Sequence, residues 1–367
     1  MTMGPDLRAD QVGSLLRPLS LLAARAGRAE GRLSEEDLRA EEDAAIEGAL
    51  ARQREVGLEI YSDGELRRGS WITDMAEATE GFVPESRLLE WHGPGGGSEP
   101  STSHVVGGPL RSRRRLTEAE TGFLVSHAPG AAKMTLPAPS NFYVASWKDG
   151  VTDRAYETRS AMLADVVAIL RSEVEWLITQ GVSYVQLDAP FYGSFLDQAE
   201  RRRLEAAGVD LDRGLAEAAG ADHACLAGLA REGLTLALHI CRGNSRSRWM
   251  TEGTYDAIAE VVFSTVGADR FLLEYDAPRH GDFRPLRFVP GGKVAVLGLV
   301  TTKEPRLEEP EELLRRIDDA SAVLSGDQLA LSPQCGFASV AAGNLISDED
   351  QWRKLSLVVE TAGAAWG

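Results

Sequence analysis

Short aliphatic and β-branched runs alternate along this chain with long helical patterns, and that alternation constrains the fold more than any other feature. A strand that is followed by a helix before the next strand is built for parallel pairing, with the helix as the crossover. Eight candidate strands stand out, at residues 8–14, 59–63, 132–136, 184–188, 234–241, 270–275, 293–300 and 329–332. Helical stretches lie between them at 34–56, 153–180, 211–231, 254–265 and 311–324, and another at 348–365 closes the chain. Eight strands, each followed by a helix, predict an α/β fold closed into a (β/α)8 barrel. The 367 residues are long for one domain, but a barrel with insertions fills such a length, so 1–367 is read as a single unit.

The segment 81–126 breaks the repeat. It holds GPGGGS (93–98), a short strand pattern HVVGG and the basic run RSRRR (111–115). It reads as an insertion in the loop after strand 2, either a hairpin leaning over the barrel mouth or a solvated surface feature. Arg111, Arg113, Arg114 and Arg115 allow the same two readings, an anion-attracting patch or a solvated basic face.

Charge and cysteine content narrow the partners. A formal charge of −17 speaks against nucleic acid, because a phosphate backbone must be met by clustered Lys and Arg. No apolar run approaches the roughly 18 residues that a membrane span needs. The N-terminus shows no basic stretch followed by an apolar core, so a cytoplasmic location is expected and the partners should be small molecules. Cys225, Cys241 and Cys335 then sit in a reducing compartment, where an odd count favours metal or catalytic roles over disulfides.

LALHICRGNSRS places His239 and Cys241 two residues apart at the end of a strand, so their side chains leave the same side of the pleat. In a barrel this end is the face where active sites form. Two further strands end there with groups that bind zinc, Glu274 in FLLEYD and Cys335 in SPQCGF. Two thiolates, an imidazole and a carboxylate make a tetrahedral set, from which the hard carboxylate of Glu274 is the natural one for a substrate to displace. Taken singly, each residue also has a structural reading as buried hydrophobe, satisfied core histidine or solvated carboxylate. Their coincidence on three strands favours the metal. Cys225, inside the helical pattern ADHACLAGLA, is read as packing.

HICRGNSRS, LEYDAPRHGDFRPLRFVP, VLGLVTTKEPRLE and LSPQCGFAS, with DQVGSLLRP and YSDGELRRGSW nearer the N-terminus, resemble the cobalamin-independent methionine synthase family. The closest likeness is to its short members, which match only the catalytic C-terminal half of the long enzymes, and it runs from Gln11 to Trp366. The resemblance implies a barrel of the uroporphyrinogen decarboxylase/methionine synthase type. It also implies zinc held by His239, Cys241, Glu274 and Cys335, and homocysteine held through its ammonium and carboxylate by Ser14, Glu65 and Asp188. The expected reaction is attack of the zinc-bound thiolate on a methyl donor, folate-like or corrinoid-like, to give methionine; homo-oligomers are left open.

The chain departs from that family at two places. Lys303 stands where methionine synthases carry a proton-donating histidine, and Asp188, Ala189, Pro190 stand where they read Asp-Glu-Pro. A folate donor leaves as an amine that must be protonated, so Lys303 and His280 are the acid candidates. Each has a plainer reading, Lys303 paired with Glu304 or another surface carboxylate and His280 at the surface. Trp71, Phe142, Tyr143 and Trp147 are stacking candidates for a flat donor, or packing. Two other functions stay open: alkyl transfer to another thiol, such as epoxide opening by coenzyme M, and a non-catalytic zinc-stabilised barrel that binds a metabolite.

Overall fold

The structure, a computed structural model, describes residues 7–367. Its strands are β1 (Ile60–Tyr61), β2 (Thr79–Trp91), β3 (Gly97–Ser112), β4 (Ala131–Pro137), β5 (Tyr184–Asp188), β6 (Thr235–Ile240), β7 (Arg270–Glu274), β8 (Val294–Val300) and β9 (Leu329–Pro333). Seven of them form one sheet in the order β1-β4-β5-β6-β7-β8-β9, every neighbouring pair parallel.

The first expected strand, 8–14, is corrected to a single parallel bridge, Ala9 with Leu331. Two backbone bonds make it, Asp10 N–H to Leu331 O (2.8 Å) and Leu331 N–H to Arg8 O (2.8 Å). Beyond them the chain turns at Gly13, whose φ of +139° is open to glycine and strained for other residues. Side chains then continue the closure: Gln11 Nε2 donates to Ile60 O (2.9 Å) and Ser62 Oγ to Gly13 O (2.6 Å). Residues 8–15 thus bridge β9 to β1, and the (β/α)8 ring is closed by seven laddered strands and one irregular stave.

The barrel interior is packed. Val12, Ile60, Tyr184, Ala237, Leu272, Val296 and Ala330 form one buried cluster. At the strands' N-terminal end, fully buried Asp10 accepts from Lys133 Nζ (3.0 Å), Arg270 Nη1 (3.1 Å) and the Tyr184 hydroxyl (2.7 Å), so these buried charges are paired. A larger apolar cluster lies between sheet and helices. The helix Arg159–Thr179 shows how it is made: Met162, Val166, Leu170 and Val174 recur every fourth residue on its buried face, and Thr158 caps it by accepting from Ala161 N–H (3.1 Å). No helix among the described residues is long and apolar enough to cross a membrane.

The insertion is a long antiparallel hairpin, β2 with β3, so the expected range 81–126 needs correction. The hairpin begins at Thr79, and the helix Glu118–His127 that follows it leads into β4 as an ordinary barrel helix. The hairpin tip is tied to the loop after β6. His92 and Trp249 exchange two backbone bonds (2.8 and 3.2 Å), and Arg248 forms a bidentate pair with Glu99 (2.6 and 2.8 Å). The basic run sits at the other end of the hairpin, where Arg113, Arg114 and Arg115 face Glu80, Glu77 and Glu173 at 3.4–3.6 Å. That arrangement matches the solvated-face reading.

Candidate active site

A cavity of about 560 Å³ opens at the C-terminal end of the strands. His239 and Cys241 reach it from the end of β6 and Cys335 from the loop after β9, and all three are buried. Their candidate ligand atoms lie within 4.8 Å of one another. The chain therefore brings one nitrogen and two sulfurs together from two strand ends, as the period-two spacing of His239 and Cys241 requires.

The donor set fits a zinc ion. His239 Nδ1 lies 3.2 Å from Leu272 O, which as a carbonyl accepts the ring proton and leaves the Nε2 lone pair free. Nε2 is buried and meets no partner at full hydrogen-bond geometry; the Cys335 thiol is its close neighbour, so the atom is free to bind a metal. Burial works against an imidazolium here, but Cys335, Asp188 and Glu274 raise the His239 pKa above its ordinary value. The hydrogen bond with Cys241, with His239 and Lys303 beside it, holds Cys335 well below the usual thiol range, while Cys241, next to that sulfur and buried, is pushed well above it.

Glu274, the fourth expected ligand, falls outside this group. Its carboxylate is buried and taken by other partners: Oε2 accepts from the Arg242 backbone N–H (2.7 Å), and Oε1 from Arg279 Nη2 (3.1 Å) with His280 Nε2 at 3.2 Å. Burial disfavours its charge, but His280, Lys303 and Arg242 hold its pKa well below the carboxylate range. His280, weighed as a surface residue, is instead fully buried, and burial lowers its pKa below that of a free imidazole.

Ser14, Glu65 and Asp188 line the same cavity as the thiols. Glu65 follows β1 at a φ of +56°, a left-handed conformation that a non-glycine residue adopts at a cost. Its Oε1 accepts from Thr135 Oγ1 (2.8 Å), and its Oε2 is buried without a partner. Asp188 ends β5 directly beside His239 and accepts from Gln186 Nε2 (2.8 Å). Burial, eased by His239 and worsened by Glu65, pushes its pKa up to about 7. Two carboxylates in one cavity, one of them with an unpartnered oxygen, make a site for a cation.

Lys303 is buried too and does not pair with Glu304. Its Nζ donates to Asn244 Oδ1 (3.0 Å) and lies 3.5 Å from Gly243 O, in the loop after Cys241. Asn244 in turn donates to Gly336 O (2.6 Å), so Lys303, the His239–Cys241 loop and the Cys335 loop form one bonded unit. Neither Lys303 nor His280 lines the cavity. Trp71 and Phe142 line it; Tyr143 and Trp147 do not, and Arg159 stacks over both of them. Cys225 is buried in the helix Leu211–Leu226 with its pKa raised by burial, consistent with packing.

Sequence reasoning missed Arg279, Thr135 and Asn244; the hairpin expected over the barrel mouth supplies Arg87, Leu89, Trp91 and the 99–104 segment to the cavity wall. Arg279 had a signal, five residues after Glu274 in a tight loop; Thr135 had only its inward position on β4. Gly336 was also missed. A β-carbon on Gly336 would lie 1.9 Å from Ser14 Oγ, so nothing larger fits while Ser14 stays in place. Gly336→Ala is expected to lose about 1–3 kcal/mol of stability, as overpacking does, and to weaken ligand binding at Ser14. A thermal unfolding midpoint equal to that of the parent chain would contradict this tight fit.

The family described as cobalamin-independent synthase, catalytic domain, matches residues 9–348. Uncharacterized protein YxjH of Bacillus subtilis is 36% identical, with 98% of this chain and 94% of that protein covered. The methionine synthase of Pyrococcus abyssi is 25% identical over 91% of this chain and 87% of that protein. Among solved structures, one from Listeria monocytogenes, described as a candidate vitamin-B12 independent methionine synthase, matches with a TM-score of 0.75 at 25% identity over 100% of this chain and 99% of that one. A B12-independent methionine synthase from Shewanella sp. W3-18-1, solved with selenomethionine, has the same fold, with a TM-score of 0.72 at 20% identity over 98% and 97% of the two chains.

Proposed function

Since the chain belongs to the cobalamin-independent methionine synthase family, a family of methyltransferases, we propose that it transfers a methyl group to the thiol of homocysteine to give methionine. One observation carries the choice of thiol: the His239, Cys241 and Cys335 cluster shares its cavity with Glu65, whose Oε2 is unpartnered, and with Asp188. An amino acid with a thiol on a short side chain satisfies both ends.

His239, Cys241 and Cys335 would hold zinc, with Glu274 as the ligand able to join or leave. Bound there, the ion would remove the proton of an incoming thiol and keep its sulfur nucleophilic at neutral pH. Glu65 and Asp188 would take the ammonium, and Ser14 the carboxylate, fixing the direction of the sulfur. Thr135 and Gln186 keep those two carboxylates aimed, and the hairpin walls the cavity from solvent. Lys303 would serve as the acid for a leaving amine; its Nζ donates to Asn244 Oδ1 (3.0 Å), in the turn that borders the cavity, and does not itself line it.

Coenzyme M-like thiols fit less well, because a sulfonate would meet Glu65 and Asp188 in place of cations. Incubating the zinc-loaded protein with homocysteine and each donor in turn, a folate, a methylated corrinoid and a methylsulfonium, and searching for methionine by mass spectrometry tests the proposal. No methionine with any of them would defeat it.

Glu65→Gln and Asp188→Asn are expected to weaken homocysteine binding by about 10- to 150-fold each, the equivalent of the ~1.5–3 kcal/mol carried by a hydrogen bond to a charged group. Zinc content should stay unchanged. Titrating zinc-loaded variants with homocysteine checks both; unaltered binding in both would point to a thiol without an ammonium group.

A further inference from the structure

Glu274 lies outside the group formed by His239, Cys241 and Cys335, and three elements hold its carboxylate there. The Arg242 N–H, in the loop after β6, binds Oε2. Arg279 and His280, from the short turn Pro278–His280, approach Oε1 at 3.1 and 3.2 Å. Even the backbone is fixed, since Glu274 N–H donates to the Tyr255 hydroxyl (2.8 Å), which itself donates to Ile240 O (2.8 Å).

His280 Nε2 approaches this carboxylate to 3.2 Å without meeting full hydrogen-bond geometry. The ring is fully buried, and its Nδ1 accepts from Ala277 N–H (3.3 Å), which leaves the ring proton on Nε2, facing Glu274. Arg279 is braced from behind by stacking over Trp249 at 4.3 Å, in the loop that ties down the hairpin tip. Moving this carboxylate toward the His239, Cys241 and Cys335 group would strain or break these contacts.

We propose that His280 and Arg279 are positioning residues that hold the Glu274 carboxylate away from the zinc, so that the fourth ligand position is kept for the thiol. This rests on the ligand reading above and adds to it what controls the exchangeable ligand. The clamp opposes closure of the site by its own carboxylate: with it intact an incoming thiol meets a vacant position, and with it broken the thiol must compete with Glu274.

The test measures zinc and thiol binding by the whole chain, apart from turnover. In His280→Ala, zinc affinity, measured by competition with a chromophoric chelator, should rise on the order of tenfold, the scale on which partners of metal ligands act. Homocysteine affinity of the zinc-loaded variant should fall by about the same factor. His280→Gln, which keeps an N–H donor, should stay near the parent values. Placed in a Glu274→Ala background, His280→Ala should change neither affinity. Arg279→Met, at a partly exposed position, gives the same reading should His280→Ala fail to unfold cooperatively. Weaker zinc binding or unchanged affinities in the folded variants, or an effect that persists without Glu274, overturn the clamp. A parent chain that binds no zinc overturns the ligand reading instead, and the clamp with it.

Discussion

Cys335→Ser and Cys241→Ser are expected to lose zinc and, with it, all methyl transfer. Small structural zinc sites hold their ion with ~10–16 kcal/mol from four ligands, so one ligand's share is about 3 kcal/mol, or roughly a hundredfold in affinity. Serine replaces the thiolate by a harder, protonated oxygen and keeps little of that share. Cys225→Ser is the control and should keep its zinc, being buried in a helix away from the cluster. Metal analysis after gel filtration decides; full zinc in either of the first two variants removes that residue from the ligand set.

Lys303→Met is expected to reduce turnover with a folate donor by about 10²- to 10⁴-fold, the range of a general acid. A methylsulfonium donor, whose leaving group departs neutral, should lose little. The comparison matters because Lys303 is tied into the loops of both thiols through Asn244, and a purely structural lysine would damage both reactions alike. Rates with the two donors, measured at saturating homocysteine on protein of equal zinc content, separate the cases: equal loss, or none, rules out the acid role.

Much of the site follows from periodicity. A strand forces His239 and Cys241 to one side and puts them at the catalytic end of β6, and the neighbouring register puts Asp188 beside them. Glu65 and Ser14 came through the resemblance, and the cavity holds both. Less legible was whatever depends on side-chain direction or a local turn. Glu274 was placed on the right strand end, but its rotamer is set by Arg279 and His280, whose approach is fixed by a three-residue turn with no periodic signal. Lys303 and His280 looked exposed because charged side chains near loops usually are; both are buried against partners distant in sequence or inside a tight loop. The stave at 8–14 has the composition of a strand, yet Gly13 and the demands of Asp10 and Gln11 side chains replace the ladder after one bridge.

The filled barrel interior dictates traffic. Among the described residues, Asp10, Lys133, Arg270 and Tyr184 plug the lower end of the barrel below an apolar layer, so the cavity opens at the strands' C-terminal end, beside the hairpin. On the proposed reading, the thiol sulfur binds at His239, Cys241 and Cys335, all of them buried, beneath the donor. Homocysteine must therefore be first in and methionine last out, with the donor and its spent remainder passing in between. Such a queue makes a saturating donor an obstacle to both, so excess donor should slow the steady state while leaving a single round of transfer untouched.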